Sequence, residues 1–255
     1  FPAAEEIGIR FSVEETEELY RLLGQQMREL GLQLNLAPVA EAGTKETAAA
    51  LGTRTYSMEP KQAGKYAAAA VRGMQKAGIL AAVKHFPGNG TAELAVDYKT
   101  FLNRYCAPFR PSITDGTAAV VISHITVPAI EAVPFCFSAK GITLLRNELG
   151  FSGLIITDDI VMQALKQNGA SPEENAMRAL TAGCDMIMCS LSKIYPLIEA
   201  IAEKARSNAE FAKRLDEAVL QVLIAKQRAG LIDTGKPVNS GRVKTKAAPT
   251  NQNKD

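Results

Sequence analysis

Short apolar runs alternate along this chain with longer stretches whose apolar residues recur three and four apart. Runs at 32–38, 79–83, 118–122, 154–157 and 184–189 have the length and composition of buried strands. Helical spacing falls between them. Ser12 with Glu15 forms a capping box, and Leu19, Leu22, Leu23, Met27 and Leu30 make one stripe before Gly31. Glu59-Pro60 opens an Ala-rich helix to about Lys76, and Ser138 opens another to Leu149. Pro172 falls in the first turn of a helix to Ala182, with Gly183 past its end. Two more helices are predicted over about 193–205 and 209–229, and a helical turn at 105–112. Residues 1–10 read as irregular, and 91–115 as a long connection.

Strand followed by helix, repeated, predicts a parallel α/β fold. No glycine-rich GxGxxG turn follows the first strand, which disfavours a dinucleotide-binding sheet. Polar residues recur at strand ends: Asn35, Lys84-His85, Ser123-His124, Asp158-Asp159 and Ser190. A barrel active site needs such a series, because every βα loop opens on one face. Five strands are counted where a closed barrel has about eight. The expectation is a (β/α)8 TIM-type barrel domain over 1–232 that lacks its first strands in this chain. A flexible tail poor in apolar groups is expected over 233–255.

Composition narrows the function. The 255 residues are 47% hydrophobic and 22% charged with a net charge of +2, so nothing points to a nucleic-acid partner. No apolar run approaches the ~20 residues of a membrane helix. Cys106, Cys136, Cys184 and Cys189 form no CxxC pair, and there are two histidines, so no metal or other cofactor is expected. Free thiols weakly favour a reducing, cytoplasmic compartment. The first residue is Phe1, so an upstream signal for a secreted or lipoprotein form is not visible.

The strand at 154–157 ends on two carboxylates, Asp158 and Asp159, before a helical pattern with Val161, Met162, Ala164 and Leu165. An apolar strand delivering an acid at its C-terminal end is how a barrel presents a catalytic group. The competing reading is a helix cap. The repetition of polar strand ends favours catalysis.

KHFPG at 84–88 and LIITDDI at 154–160 resemble glycoside hydrolase family 3, and most of all its bacterial β-N-acetylhexosaminidases. NLAPV at 35–39, LGTRTY at 51–56 and AGCDM at 182–186 match in the same order, so the resemblance covers about 10–230. It implies a retaining β-glycosidase for terminal β-N-acetylglucosaminides, peptidoglycan fragments among them, with a carbohydrate substrate and a covalent glycosyl-enzyme. Asp158 takes the nucleophile's place: a carboxylate can attack an oxocarbenium-like centre and leave again as a stable anion. The alternative for Asp158 is an ion pair with Lys84 or Arg54. Lys84, His85 and Arg54 match sugar-hydroxyl ligands, and a charged donor beside an imidazole suits that role. A satisfied structural histidine and a surface arginine are the plainer readings. Asp159 and His124 are expected to hold loops.

The proton donor departs from the family pattern. The resemblance implies an Asp-x-His pair in the loop after KHFPG. Here Asp97 is followed two residues on by Lys99, and the loop contains no histidine. Lysine is a poor acid at neutral pH unless desolvated. Asp97 or Glu93 could supply the proton, or another domain could. The alternative is a degenerate, non-hydrolytic member that binds sugar or serves as a structural partner.

Overall fold

A computed structural model describes residues 1–166 and 169–233, so the expected tail lies outside the described residues from 234 onward. The chain begins with helix α1 (Ala4–Arg10), where the pattern predicts irregular structure. Its only fully buried residue is Ile7, and one anchor in seven residues leaves no periodicity to read. Helix α2 (Val13–Glu29) starts at the Ser12–Glu15 capping box. Strand β1 (Leu34–Asn35) follows, then the short α3 (Ala48–Leu51) with a 3-10 turn over Gly52–Arg54. Helix α4 (Pro60–Lys76) is capped by Glu59, whose carboxylate accepts the Gln62 N–H. α2 and α4 touch backbone to backbone: a Cβ on Gly73 would sit 2.2 Å from the Glu17 carbonyl oxygen.

Strand β2 (Leu80–Phe86) leads through a loop to α5 (Tyr98–Thr100), a π-helical turn Phe101–Tyr105 and α6 (Arg110–Thr114). Strand β3 (Ala119–Ile122) precedes a small hairpin of β4 (Thr126–Val127) and β5 (Glu131–Pro134). The helix expected from Ser138 is α7 (Ala139–Thr143) continued by a π turn Leu144–Glu148. Then come β6 (Leu154–Thr157), α8 (Gln163–Lys166), α9 (Pro172–Ala182), α10 (Tyr195–Ser207) and α11 (Ala209–Arg228). α9 has Pro172 in its first turn and a left-handed Gly183 at its end, as expected, and the structure adds a capping box at Ser171–Glu174.

The parallel sheet runs in the order β1-β2-β3-β6. Beyond β6 the chain at Met186 adds a parallel bridge to Ile156, the fifth position of the sheet. The expected strand at 184–189 is reduced to that bridge: Met186 bonds the backbones of Ile155 and Thr157, while the Ile155 N–H goes to the Asp185 carboxylate at 2.9 Å. Both faces of the sheet are buried. Val83, Val120, Ile122 and Ile155 lie in the main core, while Ala82, Ala119, Val121 and Ile156 meet Val222 and Ala225 of α11. Burial on both faces explains why the strands read as continuous apolar runs.

Two expectations are corrected. β2 does not end at Val83 but continues through Lys84 and His85 to Phe86, which pairs with Ile122. Asn35 does not reach the open end of the sheet. Its amide nitrogen rests against the sulfurs of Met27 and Met74, at 3.5 and 3.3 Å, on the helix side.

Candidate active site

Parallel strands direct all their C-terminal ends to one side, and there the chemistry gathers. β6 ends at Thr157, and Asp158 stands on its tip, partly exposed. Its backbone N–H is held by the Ile122 carbonyl at 2.8 Å, so the tip of β3 fixes its place. Its Oδ1 accepts the Asp159 N–H at 2.8 Å, which orients the carboxylate.

Asp159 points elsewhere. Its carboxylate accepts the Ser190 hydroxyl at 2.5 Å, the Ser190 N–H at 3.2 Å and the Val161 N–H at 3.1 Å. Burial pushes its pKa up, but these bonds outweigh it and hold the group below the usual carboxylate range. Ser190, singled out as a polar strand end, is thus tied to Asp159. His124 takes the Asp159 carbonyl with Nε2 at 2.9 Å, and its Nδ1 lies 3.2 Å from the Cys136 sulfur. The two adjacent acids therefore divide: one braced at its backbone with a partly exposed carboxylate, one consumed in building the loop. Neither caps α8, which begins only at Gln163.

On β2, Lys84 is half-buried beside Asp158. Burial lowers its ammonium pKa first, the Arg54 charge lowers it further, and the charges of Asp158 and Glu41 oppose both. Arg54 itself is exposed, and its guanidinium also grips the Leu51 and Ala50 carbonyls at 3.2 and 2.7 Å. His85 is buried, and its Nδ1 lies 2.7 Å from Glu41 Oε1. Glu41 is 4% exposed and was not recognisable from sequence. It lies in the loop after β1 with no local pattern, and only the parallel pairing of Val39 with Lys84 brings it to His85. Four of the residues singled out, Asp158, Lys84, His85 and Arg54, thus come together with Glu41.

Asp97 does not join them. It is exposed and caps α5, with its two oxygens accepting the Thr100 N–H at 2.9 Å and the Thr100 hydroxyl at 2.6 Å. The Thr100 hydroxyl, then its N–H, holds this carboxyl below its ordinary pKa. A group stabilised as the anion is a poor proton donor. Lys99 is likewise exposed. Glu93 lies on the wall of a cleft of about 280 Å³ that also includes Glu41, Glu46, Asn89, Arg104 and Tyr105. Pro87 and Gly88 also line that cleft, and neither Asp158 nor Lys84 is among its walls. Among the described residues no cluster of His, Cys, Asp and Glu is built to hold a metal ion.

Residues 1–225 match the glycosyl hydrolase family 3 N terminal domain. The chain belongs to glycosyl hydrolase family 3. Within the family it is 33% identical over 177 residues to a beta-hexosaminidase of Nitrosomonas eutropha, covering 66% of this chain and 50% of that protein. It is 32% identical over 203 residues to a beta-hexosaminidase of Stenotrophomonas maltophilia, covering 73% of this chain and 60% of that protein. The chain thus spans half to three fifths of the length of these curated relatives. Among solved structures, Mycobacterium tuberculosis LpqI superposes with a TM-score of 0.79 at 26% identity, over 88% of this chain and 70% of that one. The beta-N-acetylhexosaminidase of Beutenbergia cavernae gives 0.79 at 29% identity, over 89% of this chain and 72% of that one. The fold is the TIM-barrel-like α/β fold of the family, and the parallel sheet fits an arc of such a barrel.

Proposed function

We propose that this chain carries the sugar-cleaving site of a retaining β-glycosidase for terminal β-N-acetylglucosaminides, with Asp158 as nucleophile. The observation that supports it best is the contrast between the paired acids. Asp159 spends its carboxylate on Ser190 and Val161, while Asp158 is aimed by the Asp159 N–H at the end of β6 beside Lys84. Family membership and the hexosaminidase relatives supply the reaction class.

In this reading Lys84, Arg54 and His85 hold the sugar hydroxyls. Asp158 attacks the anomeric carbon as the glycosidic bond breaks, the leaving oxygen takes a proton, and water then releases the sugar from Asp158.

A second reading is favoured by one observation. The loop acid Asp97 is tied down as an anion at Thr100, so the site has no evident donor for a poor leaving group. The chain would then bind sugar and turn it over slowly. Aryl N-acetylglucosaminides separate the two, because an activated aryl group leaves with little acid help. Hydrolysis of the activated substrate that Asp158→Ala reduces by about 10³-fold or more supports the nucleophile. Equal, poor hydrolysis by parent and variant removes it. Turnover of aryl substrates but not of natural disaccharides supports the missing-donor reading.

A further inference from the structure

Glu41 is buried against His85, lies outside the motifs that mark the site, and has no part in the proposed mechanism so far. Glu41 Oε1 receives two groups of His85: the backbone N–H at 3.3 Å and ring Nδ1 at 2.7 Å. A backbone N–H only donates, so Oε1 is an acceptor. The Nδ1 beside that oxygen is therefore the ring nitrogen that carries hydrogen. In a neutral imidazole the other nitrogen, Nε2, is then an acceptor. No described protein group hydrogen-bonds Nε2, and it is not among the sealed, unsatisfied polar atoms of the interior.

We propose that Glu41 is a positioning residue that locks His85 as the Nδ1–H tautomer, so that Nε2 accepts a hydrogen bond from one sugar hydroxyl. This rests on the sugar-binding reading above and deepens it. Lys84 can only donate and His85 can only accept, so the two adjacent residues select a hydroxyl array rather than charge. A sugar whose hydroxyl at the His85 position is removed or methylated loses that bond. The family motif contains the histidine; the carboxylate that decides which of its nitrogens faces the sugar comes from a different strand's loop.

The test compares the parent with Glu41→Leu, which removes the acceptor, and Glu41→Gln, which keeps an amide oxygen in its place. Imidazole ¹⁵N spectra report the tautomer directly. The parent should show His85 protonated at Nδ1, Glu41→Gln should retain it, and Glu41→Leu should lose it. A parent spectrum with the proton on Nε2 overturns the proposal, and it does so even if Glu41→Leu fails to fold. The second readout is the dissociation constant of N-acetylglucosamine together with KM and kcat for an activated aryl glycoside. Glu41→Leu should weaken sugar binding and raise KM about tenfold, one hydrogen bond's worth, with kcat little changed. Among aryl glycosides lacking one hydroxyl each, the one that costs the parent most should cost Glu41→Leu almost nothing extra. A fall in kcat alone, or identical hydroxyl preferences in parent and Glu41→Leu, contradicts a positioning role. If no Asp158-dependent turnover exists, the hydrolase reading falls, while the tautomer and the sugar dissociation constants still decide the role of Glu41. Absence of any N-acetylglucosamine binding overturns both.

Discussion

His124 joins the end of β3 to the loop that carries the acid pair, with Nε2 2.9 Å from the Asp159 carbonyl oxygen and Nδ1 3.2 Å from the Cys136 sulfur. A carbonyl only accepts, so Nε2 carries the hydrogen and Nδ1 receives the thiol proton. The ring is neutral in this arrangement. Burial is the main reason its pKa is lowered, opposed by the Asp159 carbonyl and the charges of Asp158 and Asp159, and aided by His85. Burial also holds the Cys136 thiol well above its ordinary pKa, so it stays a donor.

The pH dependence follows from that direction. Because the folded pKa lies below the unfolded value, the unfolded chain takes up a proton first on acidification. Stability is full above the unfolded value of about 6.5 and falls as pH drops from there through the folded pKa. Urea unfolding at a series of pH values should show this loss, and His124→Asn should flatten that part of the curve. An unchanged slope in the variant removes His124 as its source.

Asp97 spends both carboxylate oxygens on Thr100 at the start of α5. Asp97→Ser, which keeps a capping oxygen, should leave hydrolysis of an activated aryl glycoside unchanged. Its pH–rate profile should also keep the same acid limb. A lost or shifted limb would return Asp97 to the mechanism.

Asp185 is the anchor between β6 and the last helices. Its carboxylate is 2% exposed and accepts Arg146 at 2.6 Å, Arg214 at 2.8 Å and the Ile155 N–H at 2.9 Å. Asp185→Ala removes the carboxylate between two guanidinium groups, which keep their carbonyl partners, and leaves the Ile155 N–H without its acceptor. It should cost roughly 3 kcal/mol or more, read as a lower urea midpoint at constant m-value. A cost below about 1 kcal/mol would mean water replaces the carboxylate.

Gly73 is set against the backbone of α2, where a Cβ would sit 2.2 Å from the Glu17 carbonyl oxygen and 2.9 Å from the Arg21 nitrogen. Alanine favours a helix over glycine by about 1 kcal/mol, yet here Gly73→Ala should destabilise by roughly 1–3 kcal/mol because the helices must part. Thermal unfolding decides the sign. Gly31→Ala is a useful contrast, because space around that glycine is open but its φ of +77° is unfavourable for alanine.

The alternation of the main strands and helices, the capping box at Ser12, the Gly183 stop and the acid pair at the end of β6 were all legible in the sequence. Each depends on residues within a few positions of one another, where backbone geometry alone dictates the outcome. Glu41 beside His85 was not legible, nor were three features of the fold. α1 has a single anchor, Ile7, whose value comes from the core it enters. Asn35 reads as a strand-end polar group, but its side chain turns to Met27 and Met74 because β1 is only two residues long. β2 extends past its apolar run because the neighbouring backbone, with Ala40 N–H on the Lys84 carbonyl and Ser123 N–H on the Phe86 carbonyl, continues to pair with it.

The sequence by itself therefore marked the main strands and helices and the acid pair at the end of β6, since periodicity and caps are local. Only the tertiary structure decided how those groups are used. It turned Asp159 to Ser190 and left Asp158 at the mouth, and it brought Glu41 to His85 across parallel strands. Those choices rest on hydrogen bonds between residues up to 44 positions apart. Such pairings exist only once the sheet has aligned its strands.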